Sequence, residues 1–237
     1  MNRTRHIATA AISLLLLISC STPKREVHVQ RWGDLKSVVM QGEDQGRVAL
    51  SEIQGRPGVY GIGALEGLAG EILVLDGQVW HAQNVSFDIV TSKNIEADLE
   101  AALLVIAEVP TWTKRKFSNA IVWDALESEI GQAVHAAGLD PMEPVPFLIE
   151  GELTDLELHV INGSCPYRHE EGAAPPFKTK VESASGTLFG FYFEGEPGIL
   201  THHGQRLHLH VLTAGKDEMV GHVDAVSLSA GCSFHLP

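Results

Sequence analysis

The stretch Gln205 to His222, QRLHLHVLTAGKDEMVGH, constrains the fold more than any other part of the chain, because strand geometry turns its three histidines into a cluster. His208 and His210 alternate with Leu207, Leu209 and Val211. In a strand, residues i and i+2 share a face while their neighbours point away, so both imidazoles leave the same side. The run Thr213 to Gly221 has turn composition around Gly215, Lys216, Asp217 and Glu218, and His222 then opens a second alternating run, HVDAVSL. A hairpin returns His222 beside the first two. Three neutral imidazoles from two neighbouring strands form a set that holds a catalytic zinc and leaves a fourth position for water or substrate. A single buried histidine carries no such meaning. The third histidine, placed by the turn, makes this stretch a candidate metal site.

The beginning of the chain reads as an export signal. Arg3 and Arg5 precede an apolar run from Ile7 to Ile18, and Leu17-Ile18-Ser19-Cys20 follows at once. The run is too short to span a bilayer comfortably. A small residue directly before a cysteine resembles the lipobox of bacterial lipoproteins, which implies cleavage before Cys20 and acylation of its thiol. Residues 1–19 are then signal, 20–31 a tether and 32–237 the folded domain, held at the cell envelope by lipid and facing the periplasm or the exterior. Without Arg3 and Arg5, 15 of the 17 basic side chains remain against 30 acidic ones, a formal charge of −15. Such a balance argues against nucleic acid, and the only dense basic cluster, Lys114-Arg115-Lys116, reads as a solvated loop. Beyond Cys20 the cysteines are Cys165 and Cys232, which an exported compartment would permit to pair; two unpaired buried thiols fit equally well.

The 237 residues, 44% apolar and 20% charged, suffice for one sizeable core. Leu35 to Met40 and the following QGEDQGRVALSEI suggest two short helices. ILVLDGQVW is two apolar runs about Asp76-Gly77, a pair that favours a type I′ hairpin. Ile95 to Val109 reads as a helix entering a strand. The best helix is AIVWDALESEIGQAVHAAGL, where Ile121, Ala125, Leu126, Ile130, Val134 and Leu139 recur mostly at helical intervals and Gly138 stands at the stop. FLIEGELTDLELHVI suggests a strand pair turning near Thr154-Asp155, and GTLFGFYF, from Gly186 to Phe193, a further strand. NGSCPYRHEEGAAPPF, between these two, is a loop by composition. Seven or more strands against one long helix give an α+β class: a β-rich single domain with mixed or antiparallel sheets.

Three histidines on a metal are compatible with several chemistries, so other residues have to decide. YGIGALEGLAGEILVLDG, GTLFGFYFEG, and LHLHV followed by VGHVDAVSL together resemble alpha-acetolactate decarboxylase, and GDLKSVVMQGEDQG resembles that family's opening helix. The resemblance runs in order from about Trp32 to the last residue. It implies a zinc or similar divalent ion on His208, His210 and His222, with Glu71 matching the family's active-site carboxylate and a small 2-hydroxy-3-keto acid as the substrate class. A homodimer is an open option. The cupin-like alternative lacks its glutamate, since Ala214 and Gly215 stand where that ligand belongs. A non-catalytic zinc-binding lipoprotein is the other reading; His202, His203 and His235 could add surface metal affinity.

The resemblance also fails at particular places. The family has threonine where Ala64 stands and an active-site arginine where His159 stands, and histidine lacks arginine's bidentate fork. Arg168, in the following loop, is the candidate substitute. The family also continues past SFHLP with a tail bearing a second active-site glutamate. An impaired or altered activity is therefore expected. The lipid expectation has the most direct check: intact-mass analysis of the mature protein should find an acylated Cys20 at its N-terminus, and any other first residue refutes it.

Overall fold

The computed structural model describes residues 27–85, 88–163, 175–202, 204–216 and 218–237. The expectations for Cys20 and its signal, Cys165 and Arg168 lie outside these residues, as does most of the loop between Asn162 and Phe177.

Two antiparallel sheets make up the molecule. The first contains β1 (His28–Trp32), β2 (Val48–Ala49), β3 (Val59–Leu65), β4 (Glu71–Leu75), β5 (Gln78–Val85), β6 (Asp88–Ser92) and β7 (Glu100–Glu108), in the order β1-β7-β3-β4-β5-β6 with β2 also on β7. The second contains β8 (Thr113–Lys116), β9 (Val145–Val160), β10 (Phe177–Tyr192), β11 (Leu207–Thr213), β12 (Val220–Leu228) and β13 (Ser233–Leu236). Because β10 pairs with both β9 and β11, and β12 joins β11 to β9, these four strands close into a ring. Closure pairs both sides of these strands where the ring is complete, leaving fewer free edges to invite pairing with another chain. The expected β-rich α+β class is what forms, with antiparallel pairing throughout the described sheets.

One core lies inside the ring, where α1 (Trp123–Ala136) covers it with Leu126, Ile130 and Val134 at four-residue intervals. Gly138 ends that helix as read from the sequence: its φ is +69°, and Gly138 N–H and Leu139 N–H donate to His135 O and Val134 O, the paired bonds of a Schellman stop. A second core joins the sheets, Ile62, Leu73, Trp80 and Val105 meeting Val160, Phe189, Phe191 and Val220. The candidate site lies along this seam.

Four expectations are corrected. Ile95 to Val109 contains no helix: β7 occupies Glu100–Glu108, and its seven central residues are all buried. Alanine and leucine favour helix intrinsically, but a strand covered on both faces also reads as a continuous apolar run, and the central place of β7 in the sheet decides between them. FLIEGELTDLELHVI is one continuous strand within β9, not a strand pair. Asp155 takes a φ of +48° there and the β12 register shifts beside it, so the chain bulges without reversing. Lys114-Arg115-Lys116 forms the exposed edge strand β8 instead of a loop, its charges protecting a sheet margin. In place of two α-helical turns, Lys36–Met40 forms a π turn and Leu50–Glu52 a 3-10 turn. In addition β1 begins at His28, inside the stretch assigned to a tether, and β10 starts nine residues before Gly186.

The Asp76-Gly77 hairpin forms as read, both residues having positive φ, +49° and +76°. A Cβ on Gly77 would lie 2.2 Å from Arg56 O. Gly77→Ala should therefore cost about 2 kcal/mol and lower Tm by roughly 4–8 °C in calorimetry; an unchanged Tm contradicts the turn assignment.

Candidate metal centre

β11 and β12 bring the three hairpin histidines together. His210 and His222 are register partners, and His208 stands two residues along the same face. One ring nitrogen from each lies within 4.8 Å of the others. The rest of each ring is anchored outward where a partner is available: His208 Nδ1 lies 2.7 Å from Leu200 O, and His210 Nδ1 lies 2.8 Å from Ile72 O. A carbonyl only accepts, so in both rings Nδ1 carries the hydrogen and Nε2 is left bare. His210 Nε2 is buried with no hydrogen-bond partner, having only a 3.5 Å approach to Glu71 Oε2. Burial of an orphaned lone pair is costly unless something completes it. Fixing the outer nitrogen on a backbone carbonyl is also how metal-ligating histidines are oriented.

The electrostatics agree with that arrangement. Desolvation, reinforced by the neighbouring His202, pushes His208 down to about 3. Burial also holds His210 and His222 well below the ordinary histidine value, with the surrounding imidazoles adding to the shift. Three neutral nitrogen donors facing one point suit zinc or a similar borderline cation.

Glu71 opens β4 and is only 4% exposed. Its Oε1 accepts a long hydrogen bond from Ile161 N–H at 3.3 Å and lies 4.0 Å from His159 Nε2. Burial dominates and raises its pKa to about 7, the nearby His159 pulling the other way. His159, on β9, is the register partner of His222, and the two rings lie 4.7 Å apart. Of the sequence-selected residues, the structure thus gathers Glu71, His159, His208, His210 and His222.

Sequence reading missed Asp224, whose Oδ1 lies 2.9 Å from His159 Nδ1. Burial raises the Asp224 carboxyl, but the hydrogen bond from His159, with Lys178, outweighs it and holds the group below its usual value. The signal was present in HVD: two residues after His222, Asp224 shares its face. His202, read as a surface residue, lines the cavity, with ring centroids 6.4 Å from His208 and 6.0 Å from His222. His235 takes no part; it is buried beside Trp112 and Glu150. The cavity measures about 40 Å³, and its wall opposite the histidines is apolar, built from Leu35, Val39, Leu68, Leu103 and Ile161.

A family model described as alpha-acetolactate decarboxylase matches residues 34–234. The chain belongs to the alpha-acetolactate decarboxylase family. Solved structures agree in fold. A Staphylococcus aureus protein of unknown function, described as similar to alpha-acetolactate decarboxylase, superposes with a TM-score of 0.69 at 17% identity, covering 88% of this chain and 84% of that one. Acetolactate decarboxylase from Bacillus subtilis subspecies spizizenii gives 0.65 at 18% identity, covering 87% and 84%. The enzyme from Bacillus subtilis strain 168 gives 0.65 at 17%, covering 88% and 84%. No curated protein sequence matches the chain.

In this family member the buried carboxyl has a measurable signature. Glu71 has a folded pKa near 7 against about 4.5 when exposed, so between those values the folded state binds the extra proton and stability is lost as pH rises. Glu71→Gln removes that loss. In metal-free protein the variant should gain about 2–3 kcal/mol over wild type between pH 5 and pH 8 by denaturant titration. A difference that stays constant with pH contradicts the burial argument.

Proposed function

We propose that this chain is a metal-dependent carboxy-lyase that removes carbon dioxide from 2-acetolactate, or a close 2-hydroxy-3-keto acid, to give acetoin or its homologue. The observation that carries the reading is the convergence of three imidazole nitrogens, within 4.8 Å of one another, on a cavity shared with one buried carboxyl. His208, His210 and His222 would hold zinc or a similar divalent ion, which supplies Lewis acidity for the charge that carbon dioxide loss pushes onto the ketone oxygen.

The protein's own groups supply the rest. Loss of carbon dioxide leaves an electron pair on the carbon next to the ketone, and that carbon must then take up one proton. Glu71, whose pKa burial lifts to about 7, retains its proton near neutrality and can release it. A fixed donor on one side of the cavity delivers the proton to one face, so the product is chiral. The wall of Leu35, Val39, Leu68 and Leu103 is apolar and suits the short alkyl groups of such an acid.

One feature supports a lowered or altered activity. Among the described residues lining the cavity there is no lysine or arginine, so none of them offers a substrate carboxylate a bidentate fork. His159 does not replace it, because its Nδ1 is already committed to Asp224. Losing one oriented charge partner commonly costs on the order of a hundredfold in rate. The export signal makes the cell envelope the place of action.

The test is carbon dioxide and acetoin formation from racemic 2-acetolactate with one equivalent of zinc. Turnover should be metal-dependent and about a hundredfold below that of a Bacillus subtilis decarboxylase under matched loading. His210→Ala should lose both the metal, by elemental analysis, and the activity. Stoichiometric metal with no product refutes the enzymatic reading and leaves the metal-binding lipoprotein; a full equivalent of zinc on His210→Ala refutes the ligand assignment.

A further inference from the structure

The chemistry above leaves one polar pair, a buried histidine and a half-buried aspartate, without a task. His159 is 3% exposed, and its Nδ1 lies 2.9 Å from Asp224 Oδ1. A carboxylate oxygen only accepts, so Nδ1 carries the hydrogen, and in a neutral imidazole with that tautomer Nε2 is the acceptor. Nε2 is turned to the Glu71 side of the cavity, 4.0 Å from Glu71 Oε1. That is too long for a direct hydrogen bond, yet one oxygen atom could sit about 2.9 Å from both. Asp224 reaches outward from the same pair, with Lys178 Nζ 3.7 Å from its other oxygen. His208 and His210 have their Nδ1 hydrogens fixed by backbone carbonyls. His159 differs, since its tautomer depends on a side chain that one substitution can change.

We propose that His159 and Asp224 form a hydroxyl-recognition pair: His159 Nε2 accepts a hydrogen bond from the hydroxyl of an α-hydroxyketone or 2-hydroxy-3-keto acid in the cavity. Asp224 does not touch the molecule and is a positioning residue that fixes the tautomer. A carboxylate or ketone oxygen at the same place would oppose acceptor to acceptor, so the pair selects against both. The assignment rests on the metal-dependent reading of the cavity but concerns binding alone.

The experiment uses cobalt(II)-loaded protein and two small probes, acetoin and butane-2,3-dione, which share a carbon skeleton and differ in having or lacking the hydroxyl. Binding of each is followed through the visible absorption of the cobalt. Wild type should bind acetoin more tightly than the diketone. In Asp224→Asn the amide can donate to Nδ1 and drive the ring hydrogen to Nε2, the same tautomer reversal known for an aspartate-to-asparagine change in a catalytic triad. The acetoin preference should fall by about five- to tenfold, the value of one hydrogen bond. Cobalt affinity and the spectrum without probe should not change. His159→Phe, which keeps a ring against His222 but removes both nitrogens, should lose the preference likewise. An unchanged preference in the two variants overturns the proposal, and so does loss of cobalt from either, which would make the pair part of the metal's own support. If wild type keeps its acetoin preference but forms no carbon dioxide from acetolactate, the decarboxylase reading fails while this one stands.

Discussion

The hydrogen bond from His210 Nδ1 to Ile72 O, 2.8 Å long and 138 residues apart in sequence, is the contact on which the arrangement of the site depends. Ile72 lies on β4 in the first sheet and His210 on β11 in the closed ring, so the bond crosses the seam between them. It orients the His210 ring with its other nitrogen toward the cavity. It also sets the neighbouring residue, Glu71, against the same imidazole, Glu71 Oε2 lying 3.5 Å from His210 Nε2. One backbone carbonyl thus places a metal-ligand candidate and the acid candidate together. Its accuracy comes from the packing on either side: Leu73 and Trp80 from the first sheet meet Phe189 and Phe191 from the ring, and close-packed aromatic and aliphatic side chains permit little sliding.

Much of the site could be read from local sequence because its spacing is local. His208, His210 and His222 belong to one hairpin, and alternation on a strand is a strict rule of geometry. The same holds for the Asp76-Gly77 turn and for the Gly138 helix stop, each set by backbone conformations that few residues adopt. Long-range features were harder. Nothing in the sequence near Ile72 announces a histidine partner 138 positions away. β7 was misread because burial on both faces erases the period of two that identifies a strand, and only its neighbours in the sheet settle its form. β9 was misread for the opposite reason: Thr154-Asp155 has turn chemistry, but the ring needs an uninterrupted strand there to reach β10, β12 and β13.

Asp224 illustrates a further limit. Sequence places it on the same face as His222, but whether it serves that histidine or another depends on the strand across from it. The register sets His159 opposite His222, and Asp224 turns to His159 instead. A histidine aligned with an arginine suggests a weakened cation. A histidine held by an aspartate through Nδ1 is a different object, a directed acceptor, and that distinction appears only when both strands are in place.

The cost of assembling this site explains its position in the fold. Four imidazoles and a carboxyl are drawn out of water along one seam, and each would be better solvated on the surface. The carboxyl responds by keeping its proton, and the three hairpin imidazoles by giving theirs up, which lowers the charge the seam has to bury. What remains uncompensated is the lone pair of His210 Nε2, which stands beside the nitrogens of His208 and His222. A divalent ion would satisfy them together, and because the donors come from both strands of one hairpin, its binding energy would add to the closure of the ring itself. The ring in turn has little need of that help elsewhere, since α1 and the inter-sheet core already bury its other faces. The seam can therefore carry a polar cluster whose carboxyl comes from one sheet and whose imidazoles come from the other.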